Sequence, residues 1–254
     1  AVKWKVKGDI YTNKNKIMTL NGDATQSWKI GQSLGVLRGY VLDGILAAQA
    51  DLDDYIGADG KVMNGAKLGD YRIVDTNLDG KISGEDQDII CDPNPDFTFS
   101  LNNEISYKNF SLNIFMYGSH GNQINNVTAK YLTNLTTIRN NLTRDLLNNY
   151  WTPERTTNIK YAALGSNNAQ QPVIEDGSFL RIQNIILSYN LSSKKAKAFN
   201  NARIYASAQN LLTISNYSGF DPDISSDTGN QNFGTDLASY PLPKSVTVGI
   251  DITF

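Results

Sequence analysis

Apolar and polar residues alternate along six stretches of this chain, and the tracts between those stretches do not follow the pattern. In the last stretch Val246, Val248, Ile250, Ile252 and Phe254 fall on one side, while Ser245, Thr247, Gly249, Asp251 and Thr253 fall on the other. A strand points successive side chains to opposite faces, so this segment is predicted to be a strand with one greasy face. Ten residues is also about the 9–11 that a tilted strand needs to cross a bilayer. The stretch stops on an aromatic residue, as outer-membrane barrels commonly do. Val2 to Ile10 sets Val2, Trp4, Val6 and Ile10 against Lys3, Lys5, Lys7 and Asp9. Phe97 to Ser106 sets Phe97, Phe99, Leu101 and Ile105 against Thr98, Ser100, Asn102 and Glu104, and the turn Tyr107-Lys108-Asn109 leads to Phe110 to Tyr117. Phe179 to Leu191 ends on Ile185, Leu187, Tyr189 and Leu191, with a phase slip at Gln183-Asn184 that predicts a bulge. Arg203 to Ile214 is the fifth strand.

The connections differ in length in a regular way. Those after the second and fourth strands are short, about three and about eleven residues; those after the first, third and fifth run to roughly 86, 61 and 30. Compact soluble domains rarely hold three such long connections. Long loops on one rim and short turns on the other is the asymmetry of an outer-membrane barrel, and chain direction then places 11–96, 119–178 and 215–244 outside the cell.

Two segments within these loops have a pattern of their own. Val127 to Trp151 carries Tyr131, Leu135, Ile138, Leu142 and Leu146 at three- and four-residue steps, which predicts an amphipathic helix ending before Pro153. Residues 75–86, Asp75-Thr-Asn77-Leu-Asp79-Gly80-Lys81-Ile82-Ser83-Gly-Glu85-Asp86, fit the EF-hand-like calcium pattern. Ca²⁺ takes six to eight oxygens, here expected from Asp75, Asn77, Asp79, the Lys81 carbonyl and Asp86. Gly80 permits the sharp turn and Ile82 anchors the loop. The same composition also makes an ordinary metal-free turn. The ion, if bound, is expected to be structural.

Composition removes several alternatives. A formal charge of −2 with 19% charged residues gives no nucleic-acid footprint. No apolar run reaches the roughly 18 residues of a membrane helix, and a mean hydropathy of −0.36 suits a barrel with polar loops as well as a soluble protein. Cys91 is the one cysteine and His120 the one histidine, so a disulfide framework is excluded and histidine catalysis has little support. Asp51, Asp53 and Asp54, the pair Glu175-Asp176, and Asp221 with Asp223 invite a glycosidase reading, but solvated loop acids are commoner; the chain is not expected to be an enzyme. The triplets at Asn126, Asn134 and Asn141 read as chance glycan signals. Trp4, Tyr107, Phe110, Tyr189 and Tyr205 suit aromatic girdles. Lys3, Lys5, Lys7, Asn102, Glu104 and Asn113 are expected to line a lumen. Thr213 to Asp223 and Ser225 to Tyr240 are the favoured loops for ligand or lid contact. Ala1-Val2-Lys3-Trp4 reads as the middle of a strand, so the chain is expected to be part of a longer one.

Several runs resemble the C-terminal end of SusC/RagA-like TonB-linked outer-membrane proteins. They are Gly69-Asp70-Tyr71-Arg72 leading into Asp75–Gly80, Pro93-Asn94-Pro95-Asp96-Phe97, Tyr150-Trp151-Thr152-Pro153-Glu154, Ser178-Phe179-Leu180-Arg181-Ile182-Gln183-Asn184, Tyr217-Ser218-Gly219-Phe220-Asp221-Pro222 and Tyr240-Pro241-Leu242-Pro243. The resemblance implies the last six strands of a 22-stranded transmembrane β-barrel. It also implies TonB-driven import of oligosaccharides or peptides, an N-terminal plug and remaining barrel, and a SusD-like surface lipoprotein as lid. Cys91 departs from the family, which usually has a small residue there. The rival is a secreted, soluble, calcium-binding β-sandwich that binds glycans or mediates adhesion; it would bury the apolar faces that a barrel turns to lipid.

Overall fold

The computed structural model describes residues 1–20, 29–133, 141–166, 172–192, 200–224 and 233–253. All six alternating stretches are strands: β1 (Val2–Tyr11), β2 (Phe97–Tyr107), β3 (Phe110–His120), β4 (Phe179–Ser192), β5 (Asn201–Ser215) and β6 (Ser245–Thr253). They join in chain order into one antiparallel sheet, with β1 and β6 at its edges. Phe254 lies outside the described residues.

The register stacks the alternation of each strand onto that of the next. Trp4, Ile105, Leu112, Leu187, Ala206 and Val248 form one row across all six strands. The row beside it, on the other face, is Lys5, Glu104, Asn113, Ile186, Ser207 and Thr247. One face of the sheet is therefore predominantly apolar, with Asn103 as a polar member that accepts from Trp4 Nε1, and it is open: Trp4 is 69% exposed and Val248 73%. A sandwich hides such side chains beneath a second sheet. The rival soluble reading fails on this point, and the sheet is a segment of a transmembrane barrel.

The phase slip has a structural purpose. Across Ile182–Asn184 β4 spends one residue more than β3, and β5 one more than β4, where Asn210 adopts a left-handed backbone (φ 51°). Without this bulge a strand that points Phe179 and Arg181 to the polar face would also send Ile185, Leu187 and Tyr189 there. With it, Arg181 and Asn184 share the polar face while Ile185 and Leu187 join the apolar one.

At the short-turn rim β2 and β3 close through Lys108-Asn109, with Lys108 at φ 52°. Tyr107, Phe110 and Tyr189 stand in register there on the apolar face, the last two with ring centroids 4.6 Å apart. With Trp4 they match the predicted girdle. Tyr205 does not. It alternates with Ile204 on the polar face, where Arg203 lies over its ring (5.4 Å). A Cβ at Gly249 would come within 2.5 Å of the Tyr205 ring, which explains a glycine in mid-strand.

The long connections at the opposite rim hold most of the fully buried side chains, Arg181 of β4 being the exception among the six strands. Leu46, Tyr55, Ile73, Ile124, Leu146 and Ala162 are all buried and none belongs to the six strands. Leu37–Tyr40 pairs with Gln87–Cys91, Leu42–Ile45 with Tyr71–Ile73, and Gln123–Asn126 with both Ile174–Asp176 and Thr235–Asp236. A short helix, α1, spans Gln49–Asp53. The predicted single helix over Val127 to Trp151 is instead two, α2 (Val127–Leu132) and α3 (Arg144–Asn149). Thr143 has an extended backbone and accepts from Leu146 N–H at 3.2 Å, so a capping residue inside the periodic run starts a new helix. Leu135 and Ile138 of that run lie outside the described residues. Asn126, the first glycan triplet, caps α2 and is buried; Asn141 is exposed and Asn134 lies outside the described residues.

Arginine at Val248, on the apolar face, is expected to destabilise the assembled receptor by about 2–4 kcal/mol in lipid, whereas arginine at Thr247 is tolerated. Urea unfolding of both variants in lipid vesicles checks this asymmetry.

Candidate functional site

Polar side chains tie the three long connections into one cap. Ser166 Oγ donates to the buried Asp70 carboxylate at 2.6 Å, and Trp151 Nε1 donates to the Ala47 carbonyl at 3.0 Å. These two contacts join the first connection to the second. Glu175 accepts from the N–H and the hydroxyl of Ser218, each at 2.8 Å, and from Asn126 Nδ2 at 2.9 Å. Tyr217 donates to Asp236 at 2.5 Å. Burial, reinforced by that carboxylate, pushes the Tyr217 phenol up, so it stays a protonated donor. Glu175 is thus a docking acid. Asp176 accepts from the hydroxyl and N–H of Ser178, which hold it below the usual carboxylate range. Neither resembles half of a catalytic pair.

One buried cluster of charge was missed as a site. Arg181, 1% exposed on the polar face of β4, is forked between Asp221 and Asp223. Its Nε donates to Thr213 Oγ1 at 3.0 Å and its Nη1 to the Tyr117 hydroxyl at 3.2 Å. Tyr117 in turn donates to Asp223 at 2.5 Å. The two acids considered for catalysis are therefore partners of a buried cation. One sequence signal existed: Arg181 is the single charged residue of the strand Phe179–Ser192.

Beside this cluster the polar face opens into a cleft of about 400 Å³, within the usual size range of ligand pockets. Asp9, Tyr11, Thr98 and Ser100 of β1 and β2 line it, with Pro222, Asp223, Ile224 and Phe233 of the connection after β5. The favoured contact loops 213–223 and 225–240 contribute to it, although 225–232 lie outside the described residues. Lys3, Lys5 and Lys7 run down the same face, with Lys5 opposite Glu104 and Lys7 opposite Asn102. His120 ends β3 against the Phe97 ring, 5.1 Å away, at the rim of the long connections.

The 75–86 loop is folded by its own acids. Asp75 accepts from the N–H groups of Asp79 (3.3 Å) and Gly80 (2.7 Å), Asn77 from Asp79 N–H (3.0 Å), and Asp79 from Lys81 N–H (2.8 Å). Gly80 takes the expected left-handed backbone, φ 79°. This half suits a hard cation, with oxygen side chains on alternate positions turned into the loop. The other half differs: the buried Asp86 accepts from Thr76 N–H (3.0 Å) and Ser83 N–H (2.7 Å). Burial would raise its carboxyl, but bonds from Ser83, Thr76 and Asn77 prevail and hold it below the ordinary value. Among the described residues no three His, Cys, Asp or Glu side chains converge as a metal cluster.

No family model matches the chain. It is, however, 31% identical over 274 aligned residues, 99% of its length, to TonB-dependent receptor P3 of Formosa agariphila, and 30% identical to receptor P26 of the same organism. TonB-dependent receptor SusC of Bacteroides thetaiotaomicron is 25% identical over 99% of the chain. It belongs to the SusC/RagA-like TonB-dependent receptors. The chain spans about a quarter of the length of these relatives: 27%, 27% and 24%. Solved structures share the fold. The RagAB peptide importer in its open-open state matches all of this chain and 27% of its own with a TM-score of 0.71 at 21% identity. Its closed-closed state gives 0.65 at 23%, over 99% of this chain and 27% of its own. This receptor segment is accordingly part of an outer-membrane barrel wall.

Cys91 ends the strand that follows the 75–86 loop, and burial together with the Asp92 charge pushes its thiol up to about 12. It is expected to resist alkylation at pH 8, where an ordinary cysteine reacts. Asp86→Asn puts an amide nitrogen against a backbone N–H, and labelling of Cys91 is expected to accelerate roughly tenfold or more. Asp86 has a lowered value in the fold, so its support is full above the ordinary carboxylate value of about 3.9 and fades as pH falls through the lowered one. Hydrogen exchange at the Thr76 and Ser83 amides is therefore expected to stay slow at pH 5.

Proposed function

We propose that this segment is the C-terminal wall and mouth of an importer that carries nutrients, oligosaccharides or peptides, across the bacterial outer membrane with energy delivered through TonB. The observation that carries this reading is the single-layer sheet with one open apolar face and two unpaired edges. In hydrocarbon every backbone N–H and C=O needs a partner, so the sheet closes only with the remaining strands of the receptor. Six strands are below the minimum of about eight for a free-standing barrel.

In this reading the apolar face meets lipid and the polar face looks onto the N-terminal plug. Two orphaned oxygens, Oδ1 of Asn102 and of Asn184, flank Phe115 on that face and suit a partner from the lumen. The connections 11–96, 119–178 and 215–244 stand outside the cell, interlocked beneath a SusD-like lipoprotein. The names of the relatives support this assignment: two are TonB-dependent receptors of one bacterium, one is SusC, and the RagAB structures are peptide importers or transporters. The test is uptake by cells lacking the receptor. Loss of transport of labelled oligosaccharides or labelled peptides, restored by the native gene and abolished without TonB, is the expected result. Unchanged uptake of both contradicts the proposal.

Calcium belongs to the same proposal. Asp75, Asn77, Asp79, the Lys81 carbonyl and Asp86 would hold one structural ion that stiffens the first connection; outside a cell a site of roughly 10⁻⁴–10⁻³ M stays filled. Chelation of the purified receptor is expected to speed proteolysis within 75–91 about tenfold, at a site binding near 1 mM or tighter. Asp75→Asn with Asp79→Asn removes that response. Proteolysis indifferent to chelation would show the loop to be held by its Asx bonds alone.

A further inference from the structure

We infer that Arg181 is the fastening of a strap: it holds residues 217–224 down on the lumen wall and so sets the width of the cleft beside them. The inference does not depend on which solute is carried. It begins from the reach of the cluster. One guanidinium collects Tyr117 from β3, Thr213 from β5, and Asp221 and Asp223 from the connection after β5. The Asp221 carboxylate also accepts from Asp223 N–H at 3.0 Å and from Leu242 N–H at 3.2 Å. Both limbs of the 215–244 connection therefore end on the charge that Arg181 balances. Its guanidinium also lies over the rings of Phe179 (5.5 Å) and Tyr117 (5.9 Å), so water is kept from it on the wall side.

The energetics favour a positioning role. A buried ion pair repays little more than its own desolvation, and well-packed apolar residues serve stability as well. Removing one partner is another matter, because it leaves a charge buried alone. The three charges thus specify one position of the strap against others. That position has a consequence at the cleft. Pro222, Asp223 and Ile224 line it together with Asp9, Tyr11 and Thr98 from β1 and β2. Asp223 is the partly open member, its side chain 35% exposed. A solute in the cleft that competes for Asp223 or Tyr117 loosens the fastening, and a solute that leaves them paired is gripped by it.

The experiment uses the full receptor in lipid nanodiscs. Hydrogen exchange over 217–224 is compared with that over β6, and spin labels at Thr98 and Ile224 report the distance across the cleft. In Arg181→Met, exchange over 217–224 is expected to rise on the order of 100-fold, with β6 unchanged and the Thr98–Ile224 distribution longer and broader. Asp223→Asn, which removes only the exposed partner, gives a smaller rise of about tenfold with the same pattern. It decides the matter alone if the methionine variant does not assemble. Native exchange over 217–224 in either variant overturns the inference. So does a parallel rise in β6, which would make Arg181 a general prop of the sheet, or an unchanged distance distribution.

Discussion

A sheet in hydrocarbon can leave no backbone group unpaired and no polar face toward lipid. The described structure follows from meeting both demands at once. Period-2 alternation supplies the apolar face within each strand. The register then matters as much as the alternation, because a one-residue slip would turn a whole strand inside out. In the row from Trp4 to Val248 six strands agree on which face is apolar. Arg181 meets that demand on the polar face although it shares odd numbering with Ile185, Leu187 and Tyr189, because a bulge at Gln183 shifts the phase between them.

This arrangement reverses the usual plan of a β-protein. The strands lie open, and close packing belongs to the connections between them. Leu46, Ile124 and Leu146 are fully buried within those connections. Interlocking contacts such as Asp70 with Ser166 and Glu175 with Ser218 give the mouth a fixed shape. The wall supplies a frame matched to lipid; the cap supplies chemistry that varies with its side chains. Arg181 is where the two meet.

Much of the frame was legible in the sequence, since alternation is a local property. All six strands fall within two or three residues of their predicted limits, and the bulge lies at the predicted slip. What was not legible depends on convergence. Asp221 and Asp223 lie some forty residues from Arg181, and nothing local says that they meet. Tyr205 was assigned to a girdle by residue type, but its own phase, opposite to Ile204, places it inside. The helix over Val127 to Trp151 was read from spacing alone, and spacing does not register a Thr143 cap. The calcium pattern gave the turn at Gly80 and the inward Asx oxygens, but not that Asp86 would satisfy backbone N–H groups.

The central claim is that one face of this sheet contacts lipid and the other a wet, protein-lined lumen. Nitroxide labels placed singly along 245–253 of the full receptor in a bilayer measure this directly. Collision with dissolved oxygen should peak at 246, 248, 250 and 252, and collision with a water-soluble nickel complex at 245, 247, 249 and 251. Loss of that two-residue period, with both reagents excluded from the even positions, would mean that these side chains are covered by protein, and the barrel-wall account would be wrong.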